Sequence, residues 1–361
     1  MSKFYEVKLE KIKNNFYTEE VIDITDYEYL HFTFNKIAVA KSPMKKPYTM
    51  KEMVDKLESN QMFFNDDEKV NCAAFLKCVN YYTFKYYAQT EFGKKEVKPY
   101  KAVKEIYIFN QYIRSWLHDL LSHIEVFLRT SIVDILAQTY DSKHYQSAQF
   151  YIDDEIYFEE TGKRSRNKKD RIIGVHKLLE SFNNTIQENI KRNIAIKHHQ
   201  ETYGATPAWL LFDLLTFGQV STFFNYLIPK YKKRVAQGLV VDKVNNMIPG
   251  DMLASWINAL RYLRNVVSHT GKIYGSNFDI LPQKHIKDES FMKGLEKFNY
   301  DKRIITYLLI MKRIFMLMPT EMQLYWNDKI SELFKEIEHN QHIKPARLGF
   351  NDQTFDYLHI M

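Results

Sequence analysis

The sequence predicts an all-α protein, a helical bundle with additional helices. Apolar residues recur at spacings of three and four over long stretches, most clearly from about Ile106 to Tyr140. Segments that alternate apolar and polar residues are scarce. The 361 residues include 11 glycines and 9 prolines, which disfavours an all-β protein built on many tight turns. Hydrophobic residues make up 45% of the chain, enough for a sizeable core.

Composition narrows the functional classes. The net charge of +7 and the clustering of basic residues favour an anionic partner. No apolar run reaches the ~18 residues of a membrane span. Cys72 and Cys78 are the only cysteines, and a chain with two thiols and no signal peptide is typical of the reducing cytoplasm. Neither cysteine has neighbouring His or Cys ligands. We therefore expect a cytoplasmic protein without a membrane span, metal site or cofactor.

The N-terminal part of the chain divides near residue 45. Residues 1–45 are mixed in pattern and are interpreted as an extension, in which residues 29–34 are considered as a short strand. Residues 46–361 are interpreted as one helical domain. Thr49 and Glu52 form a capping box at the start of the first helix. A second helix leads into an aromatic run from Asn80 to Tyr87. Two interpretations of that run stay open: its rings can stack on nucleic-acid bases, or they can pack into a helical core.

The longest predicted helix, from Ile106 to Tyr140, carries charged residues on its outer faces. His118, Glu125 and Arg129 lie away from the apolar stripe. The spacing of Glu125 and Arg129 indicates an ion pair worth only about 0.3–0.5 kcal/mol if exposed. A buried role in orienting a catalytic histidine is the alternative.

Residues 141–170 are interpreted as a long connection that contains the densest basic tract, with helix resuming from Ile172 to Ile196. The tract is either a solvated loop or a phosphate-binding strip with salt-dependent affinity for nucleic acid. If it binds RNA, the residues expected to do so are Lys163, Arg164, Arg166, Lys168, Lys169 and Arg171.

Three further helical segments follow. Residues 207–224 are predicted as one buried helix in which Gly218 permits a close approach between helices. Asp251 is predicted to cap a second helix that ends near Gly271. Beyond it, a helical hairpin at about residues 300–340 is broken at Pro319.

The Asp251 helix holds the most chemically suggestive residues of the chain. Its apolar stripe comprises Leu253, Trp256, Ile257, Leu260, Leu263 and Val267. Arg264, Asn265 and His269 lie in its last turns, just off that stripe. Arginine binds phosphate oxygens through a planar fork, and histidine can transfer a proton near neutral pH. These three are the candidate catalytic residues.

A simpler interpretation of the motif stays open. His269 can cap the helix carbonyls, and Arg264 can be a surface charge. The spacing is also common, since Arg171 with His176 and Arg192 with His198 repeat it. Only the copy formed by Arg264 and His269 lies at the end of a strongly amphipathic helix that is followed by a turn.

Several of these segments together resemble the Abi family of bacterial abortive-infection proteins, the AbiD/AbiF-like group placed in the HEPN superfamily of ribonucleases. The similar pieces appear in the family's order over about residues 45–280. They are Lys46-Pro47, Asn80-Tyr81-Tyr82, residues 109–114, residues 124–126 with Arg129, Pro207, Trp209, residues 216–218, Ser221, residues 263–265 and Ser268-His269. Three departures stand out. The family's block around the histidine usually reads Ala-His-His followed by Arg, Leu, Trp and Asn, whereas this chain has Ser268-His269-Thr270 followed by Lys272, Ile273, Tyr274 and Gly275. In addition, Asn110 replaces a common Asp, and Asp213 replaces the usual Glu.

The resemblance implies a HEPN-like bundle with a motif core at residues 46–280 and a metal-independent endoribonuclease activity. In such an enzyme His269 would act as general acid or base, Arg264 would stabilise phosphoryl charge, and Asn265 would orient one of them. HEPN sites are usually composite, so a homodimer is implied. We expect RNA as the partner and a toxin of antiphage defence, controlled by a noncoding RNA. The alternative is a catalytically latent protein that holds a small noncoding RNA. An adaptor without RNA fits the basic tracts least.

Overall fold

The computed structural model describes residues 7–13, 16–22, 46–65, 67–152, 164–239, 248–296 and 300–360, with side chains omitted for 7–13, 16–22, 164–169 and 300. The chain divides into two compact units, Met1–Thr49 and Met50–Met361. In the first unit, strands β1 (Val7–Lys13) and β2 (Phe16–Ile22) form an antiparallel hairpin in which Val7 lies opposite Ile22. A strand considered at residues 29–34 lies outside the described residues.

The second unit confirms the all-α prediction. Its described part contains fourteen α-helices, with two short parallel strands, β3 (Met62–Phe63) and β4 (Lys98–Pro99). The helices are α1 (Met50–Ser59), α2 (Glu68–Phe75), α3 (Tyr81–Phe92), α4 (Tyr100–Thr139), α5 (Arg164–Asn189), α6 (Ile194–Tyr203), α7 (Ala208–Phe212), α8 (Phe217–Tyr226), α9 (Pro229–Leu239), α10 (Gly250–Ser268), α11 (Glu289–Glu296), α12 (Ile305–Phe315), α13 (Thr320–His339) and α14 (Thr354–Leu358).

Helix α4 forms the centre of the second unit. It has 40 residues and is therefore about 60 Å long. Its apolar stripe packs against α3, α7, α9, α10 and α13. The predicted stripe is buried at every turn, and the helix begins six residues earlier than the pattern indicated, directly after Pro99. No helix in the described part of the chain has the length and apolar character needed to cross a bilayer.

The aromatic run at the start of α3 contributes mostly to the core. Tyr81, Phe84 and Tyr87 are buried, whereas Tyr82 and Tyr86 stay exposed. The ring of Phe84 meets that of Phe75 edge-on, with centroids 5.6 Å apart. The packing interpretation therefore describes the buried rings of the run.

The predicted connection over residues 141–170 is wrong at its C-terminal end, because α5 begins at Arg164. Arginine and lysine are good helix formers, and no Gly or Pro interrupts the chain between Arg164 and Ile172. The predicted end at Ile196 is also wrong. Helix α5 stops at Asn189, and Asn193 caps α6 by accepting from the backbone N–H groups of Ala195 and Ile196.

The single helix predicted over residues 207–224 is two helices, α7 and α8. A reciprocal capping box starts α8: Thr216 Oγ1 accepts from the Gln219 backbone at 3.2 Å, and Gln219 Oε1 accepts from the Thr216 backbone at 2.9 Å. Gly218 permits no close helix approach, because an added Cβ would meet only Thr216 Oγ1 at 3.6 Å. That prediction is wrong.

Helix α10 buries its predicted apolar stripe completely: Leu253, Trp256, Ile257, Leu260, Leu263 and Val267 are all inaccessible or nearly so. Its N-cap is Pro249 rather than Asp251, which corrects the sequence prediction. Proline supplies the extended backbone that a cap requires, and Asp251 then lies in the first turn, where a carboxylate favours the helix dipole.

Candidate functional site

The three candidate catalytic residues lie at the C-terminal end of α10. His269 is the residue directly after the helix, and its backbone N–H donates to Asn265 O at 2.9 Å. The side chains of Asn265 and His269 are exposed. The His269 imidazole makes no hydrogen bond with any described residue, so it does not cap the helix carbonyls. It is free to meet a ligand from solvent.

A tight turn follows His269 and fixes its position. Thr270 has φ 58°, the left-handed region in which a β-branched residue is strained. The Gly271 N–H then donates to Val266 O at 2.8 Å, closing the helix end. A Cβ on Gly271 would lie 2.5 Å from Val266 Cγ1 and 2.8 Å from Val266 O. Glycine is therefore required here by close approach.

Asn110 anchors the chain beyond this turn to α4. Its side chain is fully buried, and Oδ1 accepts from the backbone N–H groups of Ile273 at 2.8 Å and Tyr274 at 3.0 Å. An asparagine suits this position because its amide oxygen accepts both bonds without placing a charge in the core. His269 thus lies between the end of α10 and a segment that Asn110 anchors to α4.

A carboxylate on α4 lies beside Arg264. Glu125 Oε2 is 3.7 Å from Arg264 Nε, and Glu125 Oε1 accepts from Arg129 Nη2 at 2.7 Å. Arg129 Nη1 also donates to Asp213 O at 3.2 Å. The side chains of Glu125 and Arg129 are each 15% exposed, whereas that of Arg264 is 40% exposed. The pair on α4 is therefore largely buried and extends to Arg264, an arrangement that neither sequence alternative described.

A polar pocket of about 380 Å³ lies where α4 meets the end of α10. Arg114 donates through Nε to Val267 O at 3.1 Å and through Nη1 to Gln111 Oε1 at 2.8 Å. It thereby satisfies one of the free carbonyls of the last helical turn. The pocket is lined by Gln111, Arg114, Ser115, His118, Val267 and Ser268.

Sequence reasoning did not assign Arg114 or His118 to the site. Both belong to α4, and they share one face because they are four residues apart. That spacing was visible in the sequence. What was not visible is that this face adjoins the end of α10, some 150 positions later in the chain. The pocket adds a second cation and a second imidazole beside Ser268, the neighbour of His269.

The basic tract is placed only in part. Lys163 lies outside the described residues. Arg164, Arg166, Lys168 and Lys169 belong to the first turns of α5. Arg171 is half-buried, donates through Nε to Tyr151 O at 2.8 Å and also donates to Tyr226 O. Burial lowers the pKa of its guanidinium. No described contact joins Arg171 to Arg264, Asn265 or His269.

The second unit is thus an all-α protein with an exposed imidazole and a carboxylate-tethered guanidinium at one helix end. Among the described residues, no three His, Cys, Asp or Glu side chains are grouped so that they could hold a metal ion. The family model for Abi-like proteins matches residues 74–275, from α2 to just beyond His269, and the chain belongs to this family. Membership points to a role in abortive infection, a form of phage defence. Neither the curated proteins nor the solved structures compared with the chain include a match.

Proposed function

We propose that the chain is a HEPN-type, metal-independent endoribonuclease acting in abortive infection. The observation that carries this proposal is the exposed imidazole of His269, which has no hydrogen-bond partner among the described residues. It directly follows the helix that carries Arg264, at an end that borders a polar pocket. Family membership supports the defence role. The net charge of +7 supports an anionic substrate.

The chemistry requires only proton transfer and charge stabilisation. The 2′-hydroxyl of RNA attacks the adjacent phosphorus and gives its proton to a base, forming the 2′-O–P bond. The P–O5′ bond breaks, and an acid protonates the leaving oxygen. His269 performs one of these transfers, an effect typically worth about 10²–10⁴-fold in rate. Arg264 stabilises the charge that develops on the phosphoryl oxygens, and Asn265 orients His269 or the phosphate.

One His269 can be base or acid in a given step, so a second group must complete the reaction. We propose a homodimer in which two α10 ends meet and supply two Arg264 and two His269 side chains. The basic residues at the start of α5 would contribute RNA affinity rather than chemistry. A noncoding RNA bound to the same surface would hold the enzyme inactive in the uninfected cell.

A second candidate function is a latent RNA-binding protein that stores a small noncoding RNA. The proximity of Glu125 to Arg264 favours it, because the carboxylate competes with phosphate for the same guanidinium. In this case RNA binds but is not cut.

Cleavage of a labelled RNA in EDTA separates the two functions. The parent protein should cut, and His269→Ala should not, while both bind RNA. His339→Ala is the matched control, because His339 is an exposed imidazole at the end of α13 whose Nδ1 lies 2.7 Å from Lys335 O. It should cut like the parent. RNA binding by the parent without cleavage would support the latent protein instead.

A further inference from the structure

Trp209 differs from the other tryptophans of the chain in exposure and bonding. All four lie in the described residues. Trp116, Trp256 and Trp326 are buried, and each indole N–H donates to a backbone carbonyl, at 2.9, 2.8 and 2.7 Å respectively. Trp209 is 51% exposed, and its indole has no hydrogen-bond partner among the described residues. About half of Trp209 is therefore accessible to a ligand from solvent.

Trp209 lines a pocket of about 280 Å³ together with other groups suited to a nucleotide. Tyr203 is exposed, and its ring lies against that of His199, with centroids 5.3 Å apart. Lys143 is exposed, and its ammonium has no ion-pair partner among the described residues. The complete lining is Ser142, Lys143, His199, Tyr203, Ala205, Pro207 and Trp209.

Hydrogen bonds to neighbouring residues anchor the segment that carries these rings. The Tyr145 hydroxyl donates to Thr206 O at 2.8 Å, and Gln200 Nε2 donates to Thr206 Oγ1 at 2.8 Å. The Ala208 N–H donates to Ser142 O at 2.7 Å. Two aromatic side chains exposed on an anchored segment lose little conformational entropy when a ligand binds. This is the arrangement of a stacking platform.

The pocket is linked to the candidate site. Trp209 also lines a second pocket, of about 170 Å³, that includes Arg129 and Asp213. Arg129 pairs with Glu125, which lies beside Arg264. Lys143 lines the first pocket together with Trp209, so the phosphate of a nucleotide bound there would lie toward Lys143 and its base toward Trp209.

We infer that Trp209 and Tyr203 form a stacking site for an unpaired base of the RNA, distinct from the position where the chain is cut. This inference rests on the proposed function, because it assigns a substrate class to the same protein: single-stranded RNA. A duplex keeps its bases stacked on one another and cannot occupy the site. Aromatic stacking tolerates every base, so the site selects unpaired structure more than sequence.

The test measures tryptophan fluorescence and RNA affinity in the His269→Ala protein, so that the RNA stays intact. This protein is the parent of the variants below. A short single-stranded oligoadenylate should quench the fluorescence, because Trp209 is the accessible indole. Trp209→Ala should abolish the quenching and weaken binding about 5- to 150-fold, the range for losing one stacked base. Trp209→Phe should keep most of the affinity, since it keeps a ring.

Phe63→Ala is the matched control, because Phe63 is an aromatic residue as exposed as Trp209 and lies outside both pockets. It should bind RNA like the parent, and melting curves should show every variant folded. If the oligonucleotide binds with equal affinity to parent and Trp209→Ala, the stacking site is wrong and the proposed function survives. If duplex RNA competes as well as single-stranded RNA, the stacking site is again wrong. If the parent binds no RNA, both proposals fail together.

Discussion

Replacing Glu125 with Gln tests whether the carboxylate on α4 positions Arg264. The substitution keeps the size of the side chain and an oxygen that can accept from Arg129, but it removes the charge. Breaking a fully buried ion pair from one side costs about 3–5 kcal/mol. Glu125 and Arg129 are each 15% exposed and an acceptor remains, so a cost of about 1–3 kcal/mol is expected. The 40% exposed Arg264 adds at most about 1 kcal/mol, because solvent screens it.

Urea denaturation measures this cost, and a cleavage assay measures its functional consequence. Glu125→Gln should bind RNA more tightly, since Arg264 no longer has a competing anion, and cleave more slowly, since Arg264 is no longer held in place. Glu58→Gln is the control for the change in net charge. Glu58 pairs with Lys69 at 2.7 Å, and both side chains are about half exposed, so its loss should cost 0–1 kcal/mol and leave cleavage unchanged. Equal stability and equal cleavage rates in the two variants would refute the positioning role.

Three further predictions concern Arg264, the basic tract and the homodimer. Arg264→Ala should stop cleavage and weaken RNA binding. Arg264→Lys should restore little of the cleavage rate, because an ammonium lacks the planar fork of a guanidinium. Full activity of the Lys variant would contradict bidentate phosphate binding. Neutralising Lys163, Arg164, Arg166, Lys168 and Lys169 should weaken RNA binding and flatten its dependence on salt. Arg171 is left in place because its guanidinium donates to two backbone carbonyls. An unchanged salt dependence would show that the tract does not contact RNA. The His118→Ala protein tests the homodimer. A site built from two His269 side chains leaves this variant active at concentrations where sedimentation shows a dimer. If the variant is inactive, His118 supplies the second proton-transfer group within one chain.

The sequence predicted those parts of the fold that depend on local pattern. The stripe on α10 was assigned correctly because six apolar residues recur at helical spacing, and α4 was assigned for the same reason. The break between α7 and α8 had a local signal that was missed, since Thr216 and Gln219 stand at capping-box spacing. At the start of α10, Asp251 was predicted as the cap from its residue type, but the extended backbone that precedes the helix lies at Pro249.

The surroundings of the candidate site depend on contacts between distant residues, which spacing cannot give. Arg264 lies in α10 and His269 directly follows that helix, so one local pattern predicted both. Glu125 is 139 positions from Arg264, and Arg114 is 153 positions from Val267, whose carbonyl it binds. These pairs form because the central helix α4 packs against α10. Nothing in the local pattern of either helix specifies which face meets which.

The measurement that tests the account most directly is the chemistry of the cut ends. The parent protein is incubated in EDTA with an RNA, and with the same RNA carrying a 2′-O-methyl group at each position that was cut. If the substrate's own hydroxyl is the nucleophile, mass spectrometry should find a 2′,3′-cyclic phosphate on the upstream fragment and a 5′-hydroxyl on the downstream one, and the methylated RNA should stay whole. Cleavage of the methylated RNA, or a 5′-phosphate at the cut, would contradict the mechanism assigned to Arg264 and His269.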